Sequence, residues 1–252
     1  MRRTPLLAVL AAVASLGGSA SASAAPLRVL VTNDDGVRAA GIDQLTTALS
    51  AEPDVAVTVV APAANQSGTG GRTTAGTLKG YPAATRSGFA AHAVKGTPAD
   101  SVRYALDTLG VTPDLVISGI NNGANLGPVV NFSGTVGAAR AAARRGLPAL
   151  ATSQGSGQPP RFADGVTATI AWFRANRAAL APGTVANLNI PTCRRDAHAG
   201  PTVSVRAARF ITFEFLQTIS PTTCPATPPK PAADDVRAYL QGYATLTPLG
   251  LR

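Results

Sequence analysis

The sequence runs to 252 residues with a formal net charge of +9, 45% hydrophobic and 5% aromatic side chains, and only two cysteines. Its basic residues form no run dense enough to follow a nucleic acid duplex, and so few aromatics cannot line a groove for single strands. A basic balance of this kind suits a small anionic substrate such as a phosphate ester.

Arg2 and Arg3, the apolar stretch Leu6–Leu16 and the cleavage motifs Ala20-Ser21-Ala22 or Ala22-Ser23-Ala24 read as a signal peptide over residues 1–24. The apolar run is too short to cross a bilayer. The mature protein is therefore expected to be exported, periplasmic or secreted, with no membrane span. In an oxidising compartment Cys193 and Cys224 are expected to form a disulfide, the alternative being two unpaired buried thiols. With only His92 and His198 and no ligand spacing to the cysteines, a zinc site is not supported.

Residues 25–200 read as one α/β core. Leu27–Ile42 opens on the β-branched run Val29–Val31, a buried parallel strand, and breaks at Thr32-Asn33-Asp34-Asp35-Gly36 before a helix over Gly41–Ala51. Val55–Val60 is a second strand, followed by a long Gly/Thr/Ser-rich loop over Ala63–Ala90. Ala91–Thr97 is a short strand, and Pro98 starts a helix that Gly110 ends. Leu115–Ile120 is the next buried strand and runs into Asn121-Asn122-Gly123. Ser133-Gly134-Thr135 opens an Ala-rich helix that stops at Gly146, and strand Leu147–Ala151 follows. Arg161–Leu180 is an amphipathic helix and Val185–Ile190 a further strand. This alternation predicts a Rossmann-like, mostly parallel sheet flanked by helices. Residues 201–252 read as an appendage: a β-rich hairpin or arm over Val203–Ile219, a Pro/Thr-rich stretch over Pro221–Pro231, a helix over Asp235–Gln241 and a closing strand over Ala244–Leu249.

Two adjacent carboxylates at the end of a buried strand are costly unless a cation sits between them. If the strands are neighbours, Asp34 and Asp35, Asn121 and Ser67 converge as an all-oxygen donor set, which suits a hard divalent ion: Mg²⁺, Mn²⁺ or Ca²⁺. Ser133-Gly134-Thr135 presents backbone N–H groups and the positive end of a helix dipole, a phosphate site. Read singly, each motif is also an ordinary turn or helix cap. Together they point to metal-assisted hydrolysis of a phosphomonoester.

VTNDDGVRAAGI, VVAPAANQSG, VKGTPADSVRYAL, ISGINNGANLG, SGTVGAA, NLNIP and GYATLTPL together resemble the SurE family of 5′/3′-nucleotidases. The resemblance is dense over residues 27–153 and recurs at 187–191 and 235–249. It implies a C-terminal hairpin and helix that exchange between subunits of a homodimer or homotetramer. It also implies a metal-dependent phosphatase acting on nucleoside 5′- or 3′-monophosphates, and on short polyphosphate. By motif, Asp34, Asp35, Ser67 and Asn121 would ligate the metal. Asn122, Ser133, Gly134 and Thr135 would meet the phosphate, and Asp34 would align or deprotonate the attacking water. The chain departs from the common family pattern at Val37-Arg38, Gln66, Val129 and Phe132, the last standing where a Tyr is usual. A receiver domain would need a late Lys, and a haloacid-dehalogenase-like enzyme a DxD spacing. An exported nucleotide- or phosphate-binding protein without turnover is the remaining alternative.

Overall fold

A computed structural model describes residues 25–157, 159–194, 197–211 and 223–251. The expected signal peptide and the second part of the expected arm, residues 212–219, lie outside these. Among the described residues nine strands form one sheet: β1 (Leu27–Thr32), β2 (Val55–Pro62), β3 (Gly80–Ala84), β4 (Ala90–Val94), β5 (Leu115–Asn122), β6 (Ala149–Gln154), β7 (Val185–Ile190), β8 (Gly200–Ser204) and β9 (Tyr243–Leu249). Their spatial order is β3-β4-β2-β1-β5-β6-β7-β9-β8. Pairing is parallel from β4 through β7 and again between β8 and β9. Only β3 on β4 and β9 on β7 are antiparallel. The α-helices among the described residues are α1 (Ala40–Ser50), α2 (Pro98–Arg103), α3 (Gly134–Ala143), α4 (Ala163–Asn176) and α5 (Asp235–Leu240).

Alternation along the central strands explains the layering. Val29 and Val31 face one side, where Ile42, Leu45 and Leu49 of α1 and Phe173 of α4 are buried against them. Leu30 faces the other, with Val102 of α2 and Val136, Ala139 and Ala142 of α3. A strand apolar on both faces must be covered on both, which fixes the three-layer arrangement. The small residues of α3 let it lie close: a Cβ at Gly137 would fall on the carbonyl oxygen of Gly70.

The strand order reverses between β1 and β5. The chain moves outward from β1 through β2 to β4, then returns to place β5 on β1's other side. At such a switch point the loops after the two strands part in opposite directions and leave a crevice at the strands' carboxyl ends.

Four expectations need correction. The Ala63–Ala90 stretch is not all loop, because Gly80–Ala84 forms edge strand β3. Its Gly and Pro residues masked it, and an edge is where a sheet tolerates Pro82. The β-rich stretch expected from Val203 ends as a strand at Ser204, and residues 205–211 lie outside any strand. Helix Arg161–Leu180 is shorter at both ends, and the strand expected at Leu147–Ala151 is displaced to Ala149–Gln154.

Cys193 and Cys224 form a disulfide, with Cα atoms 5.4 Å apart. It ties the residues leading into α5 to the end of β7 and closes a loop of 31 residues. Cross-linking a loop of that length removes unfolded-state entropy worth about 3–4 kcal/mol. Replacing both cysteines by Ser should therefore lower stability by about 2–4 kcal/mol in a denaturant titration. An unchanged midpoint would show that the bond constrains nothing.

Candidate active site

The crevice between β1 and β5 is where the carboxylates stand. After Thr32, the Asn33 side chain bonds both ways to Gly36: its Nδ2 donates to the Gly36 carbonyl (2.9 Å), and its Oδ1 accepts from the Gly36 N–H (3.2 Å). Gly36 has φ +103° and lies against the backbone of Ala64, so this turn requires glycine. The closed turn holds Asp34 buried and Asp35 half-buried between strand end and helix.

Asp34 points at the head of α3. Its Oδ1 accepts from the Thr135 hydroxyl at 2.7 Å. Gly134 faces its other oxygen so closely that a Cβ there would lie 3.0 Å from Oδ2 and 2.8 Å from the Asp34 Cβ. Burial raises the Asp34 pKa, opposed by the Thr135 hydroxyl and the N–H groups of Thr135, Asp34 and Gly134. Asp35 accepts from the Asn122 N–H (3.2 Å) at Oδ2 and from Asn65 Nδ2 (3.3 Å) at Oδ1. Its pKa is raised to about 6, by burial first and the neighbouring Asp34 charge second, against the Asn122 N–H.

The loop after β2 seats itself on this pair. The Gln66 N–H donates to the Asp34 carbonyl at 2.7 Å, and the Ser67 N–H donates to Asn65 Oδ1 at 2.9 Å. Ser67 is exposed at the rim. From β5, Asn121 donates its Nδ2 to the Gly123 carbonyl at 2.6 Å, which leaves its amide oxygen as the acceptor end. The structure thus brings Asp34, Asp35, Asn122, Gly134 and Thr135 into direct contact and sets Ser67 on the loop after β2 and Asn121 near the end of β5.

The phosphate motif is more occupied than its sequence suggests. Ser133 caps α3, its Oγ accepting from the Val136 N–H at 3.1 Å, which takes one lone pair and leaves the hydroxyl proton to donate. The N–H groups at the helix head support Asp34 itself. Asn65 was not expected at the site. Its long-range bond to Asp35 depends on how a Gly-rich loop folds back, a contact that no local pattern signals. His92 lies beside Tyr104, and His198 bonds Asp164 at 2.9 Å.

These residues fit a hard divalent cation. Two carboxylates are held together with both pKa values raised, and among the described residues neither is ion-paired to Lys or Arg. Among the described residues no third His, Cys, Asp or Glu joins them. Further ligands would have to be neutral oxygens such as Asn121 Oδ1 and Ser67 Oγ, a set that suits Mg²⁺ or Mn²⁺ over Zn²⁺.

The metal-free protein should show this charge crowding as a pH dependence. A carboxyl whose folded pKa lies above its unfolded value favours the fold below the unfolded value, and that stability is lost as pH rises through the folded value. For Asp35 the window runs from 3.8 to about 6. With chelator present, stability should fall by about 1 kcal/mol between pH 5 and 7.5, and added Mg²⁺ or Mn²⁺ should restore it at pH 7.5. Asp43, Asp100, Asp107, Asp114 and Glu52 have lowered pKa values, so their contributions are lost only in more acid solution. Thermal unfolding at both pH values, with and without metal, checks this. No pH effect in chelator would mean that the pair is not strained.

The profile of the family "Survival protein SurE" matches residues 29–212. The 5′-nucleotidase SurE of Syntrophobacter fumaroxidans is 41% identical over 181 residues, 71% of this chain and 72% of that protein. The 5′-nucleotidase SurE of Solidesulfovibrio magneticus is 39% identical over 243 residues, 88% and 91% of the two chains. The crystal structure of the SurE protein from Aquifex aeolicus superposes with a TM-score of 0.71 at 29% identity, covering 89% of this chain and 94% of that one.

Proposed function

The chain belongs to the SurE family, and we propose that it is an exported, divalent-metal-dependent phosphomonoesterase that hydrolyses nucleoside 5′- or 3′-monophosphates to nucleoside and phosphate. The observation that carries this reading is the pair Asp34–Asp35 at the switch point, Asp34 buried and facing the head of α3 and Asp35 half-buried beside it, without a cationic partner among the described residues. The name 5′-nucleotidase carried by the relatives supports the substrate class. Export is supported by the N-terminal sequence and by the Cys193–Cys224 disulfide, a bond that persists in oxidising compartments.

Asp34, Asp35, Asn121 and Ser67 would hold the cation. Bound there, it supplies positive charge against the phosphoryl oxygens and acidifies bound water. The remaining work falls to the chain itself. Asp34, fixed through Thr135, orients the attacking water and accepts its proton. Water adds to phosphorus as the ester P–O bond breaks, and the departing alkoxide takes a proton from solvent water to leave as nucleoside. Ser133 donates its hydroxyl to a phosphoryl oxygen, and the dipole of α3 favours the anion at its head. Asn122 steadies Asp35 through its N–H and presents its side chain at the rim.

The test is phosphate release by the purified protein from a panel of nucleoside monophosphates, with Mg²⁺ or Mn²⁺ and then with chelator. Chelator-sensitive release from mononucleotides is expected. A folded protein that binds nucleotides but releases no phosphate with any metal would replace this reading with that of a binding protein.

A further inference from the structure

Phe132 is 69% exposed, although the residue just before a helix cap ordinarily folds its apolar side chain back onto the fourth residue of the helix. Here that fourth residue is Gly137, which offers no side chain, and the space above it is taken by the Gly70 carbonyl. The ring therefore lacks the partner that this position ordinarily supplies. Its backbone is nonetheless fixed: the Phe132 N–H donates to the Val129 carbonyl at 2.9 Å, and its own carbonyl accepts from the Gly70 N–H at 3.0 Å. Asn131 beside it is anchored by Arg140, whose Nη1 donates to Asn131 Oδ1 at 3.0 Å. The facing loop, Gly68 through Gly71, carries one side chain in four residues and leaves the ring uncovered. An exposed aromatic on a rigid backbone is pre-organised to receive a flat apolar group.

Its position says which group. Phe132 immediately precedes Ser133, at the helix head where the phosphate would sit. We propose that Phe132 is the platform on which the base of the substrate nucleotide stacks, so that it sets preference for nucleotides over other phosphomonoesters. The proposal rests on the phosphomonoesterase reading above. Stacking on one ring face is indifferent to the hydrogen-bonding edge of the base, so the four nucleotides should differ little.

The test compares adenosine 5′-monophosphate with ribose 5-phosphate, which lacks only the base. In Phe132→Ala, kcat/KM for the nucleotide relative to the sugar phosphate should fall about tenfold, through KM, and Phe132→Trp should restore the ratio. An unchanged ratio in Phe132→Ala overturns the platform. So does a change in the solution mass of that variant, which would show that a second copy of the chain covers the ring. Should the wild type release phosphate from neither compound, the hydrolase reading fails instead. Calorimetry on the wild type then decides the platform: tighter binding of the nucleotide upholds it, and equal affinities remove it.

Discussion

Asp34→Asn is expected to lower kcat/KM for nucleoside monophosphates roughly 10³-fold while leaving the protein folded. The substitution keeps the shape of the side chain and an oxygen able to accept from the Thr135 hydroxyl, so the 2.7 Å contact to α3 survives. What it removes is a buried negative charge. That charge does three things in the proposed reaction: it attracts the cation, accepts a proton from water, and raises the pKa of Asp35. Removing it should weaken metal binding at least tenfold and lower the Asp35 pKa part of the way, since burial, the larger cause, remains. It should also leave metal-free stability unchanged or about 1 kcal/mol higher, because an isolated buried carboxylate is costly. Phosphate release, a metal titration and thermal unfolding on one preparation separate these effects. Turnover at the wild-type rate with metal bound would remove Asp34 from the chemistry. Loss of activity with loss of fold would show the residue to be structural.

Much of this site was legible because its parts are local. The β-branched runs of β1 and β5 declare buried strands, and acidic or amide residues where such a run stops must lie at a strand's carboxyl end. Their convergence needed β1 and β5 to be neighbours, a condition that alternation leaves open and the observed strand order meets. What was not legible is steric or long-range. Asn65 reaches Asp35 through a loop whose path is set by Gly36 packing on Ala64, and no periodicity encodes that. Gly80–Ala84 joins the sheet only because β4 offers it an edge. The head of α3 read as open N–H groups, yet in the fold it is turned to Asp34, so the metal and phosphate elements are one structure. Phe132 read as a substitution for Tyr, and its exposure follows only once Gly137 is seen to lie beneath Gly70.

Gly134 shows that union most directly, and Gly134→Ala is the substitution on which propensity and packing disagree. Alanine is the better helix former by about 0.5–1 kcal/mol, so by propensity alone the variant should be more stable. The surroundings forbid it. A Cβ would stand 2.8 Å from the Asp34 Cβ and 2.9 Å from the Pro98 Cγ. Neither neighbour is the free end of a flexible side chain. Asp34 is held by Thr135, and Pro98 begins α2, where Thr97 and Asp100 form a reciprocal cap. Overpacking of this kind costs about 1–3 kcal/mol, enough to outweigh the helical gain. The least costly relief is to push α3 away from β1, which draws Thr135 off Asp34 and moves both halves of the site together. A displacement approaching 1 Å lowers turnover by roughly 10²-fold. Gly134→Ala should therefore lose activity and metal affinity at once and melt a few degrees lower, although neither a charge nor a hydrogen-bonding side chain has been touched. A variant that melts higher and turns over normally would mean that α3 yields freely, and that Asp34 is positioned by β1 and its turn alone.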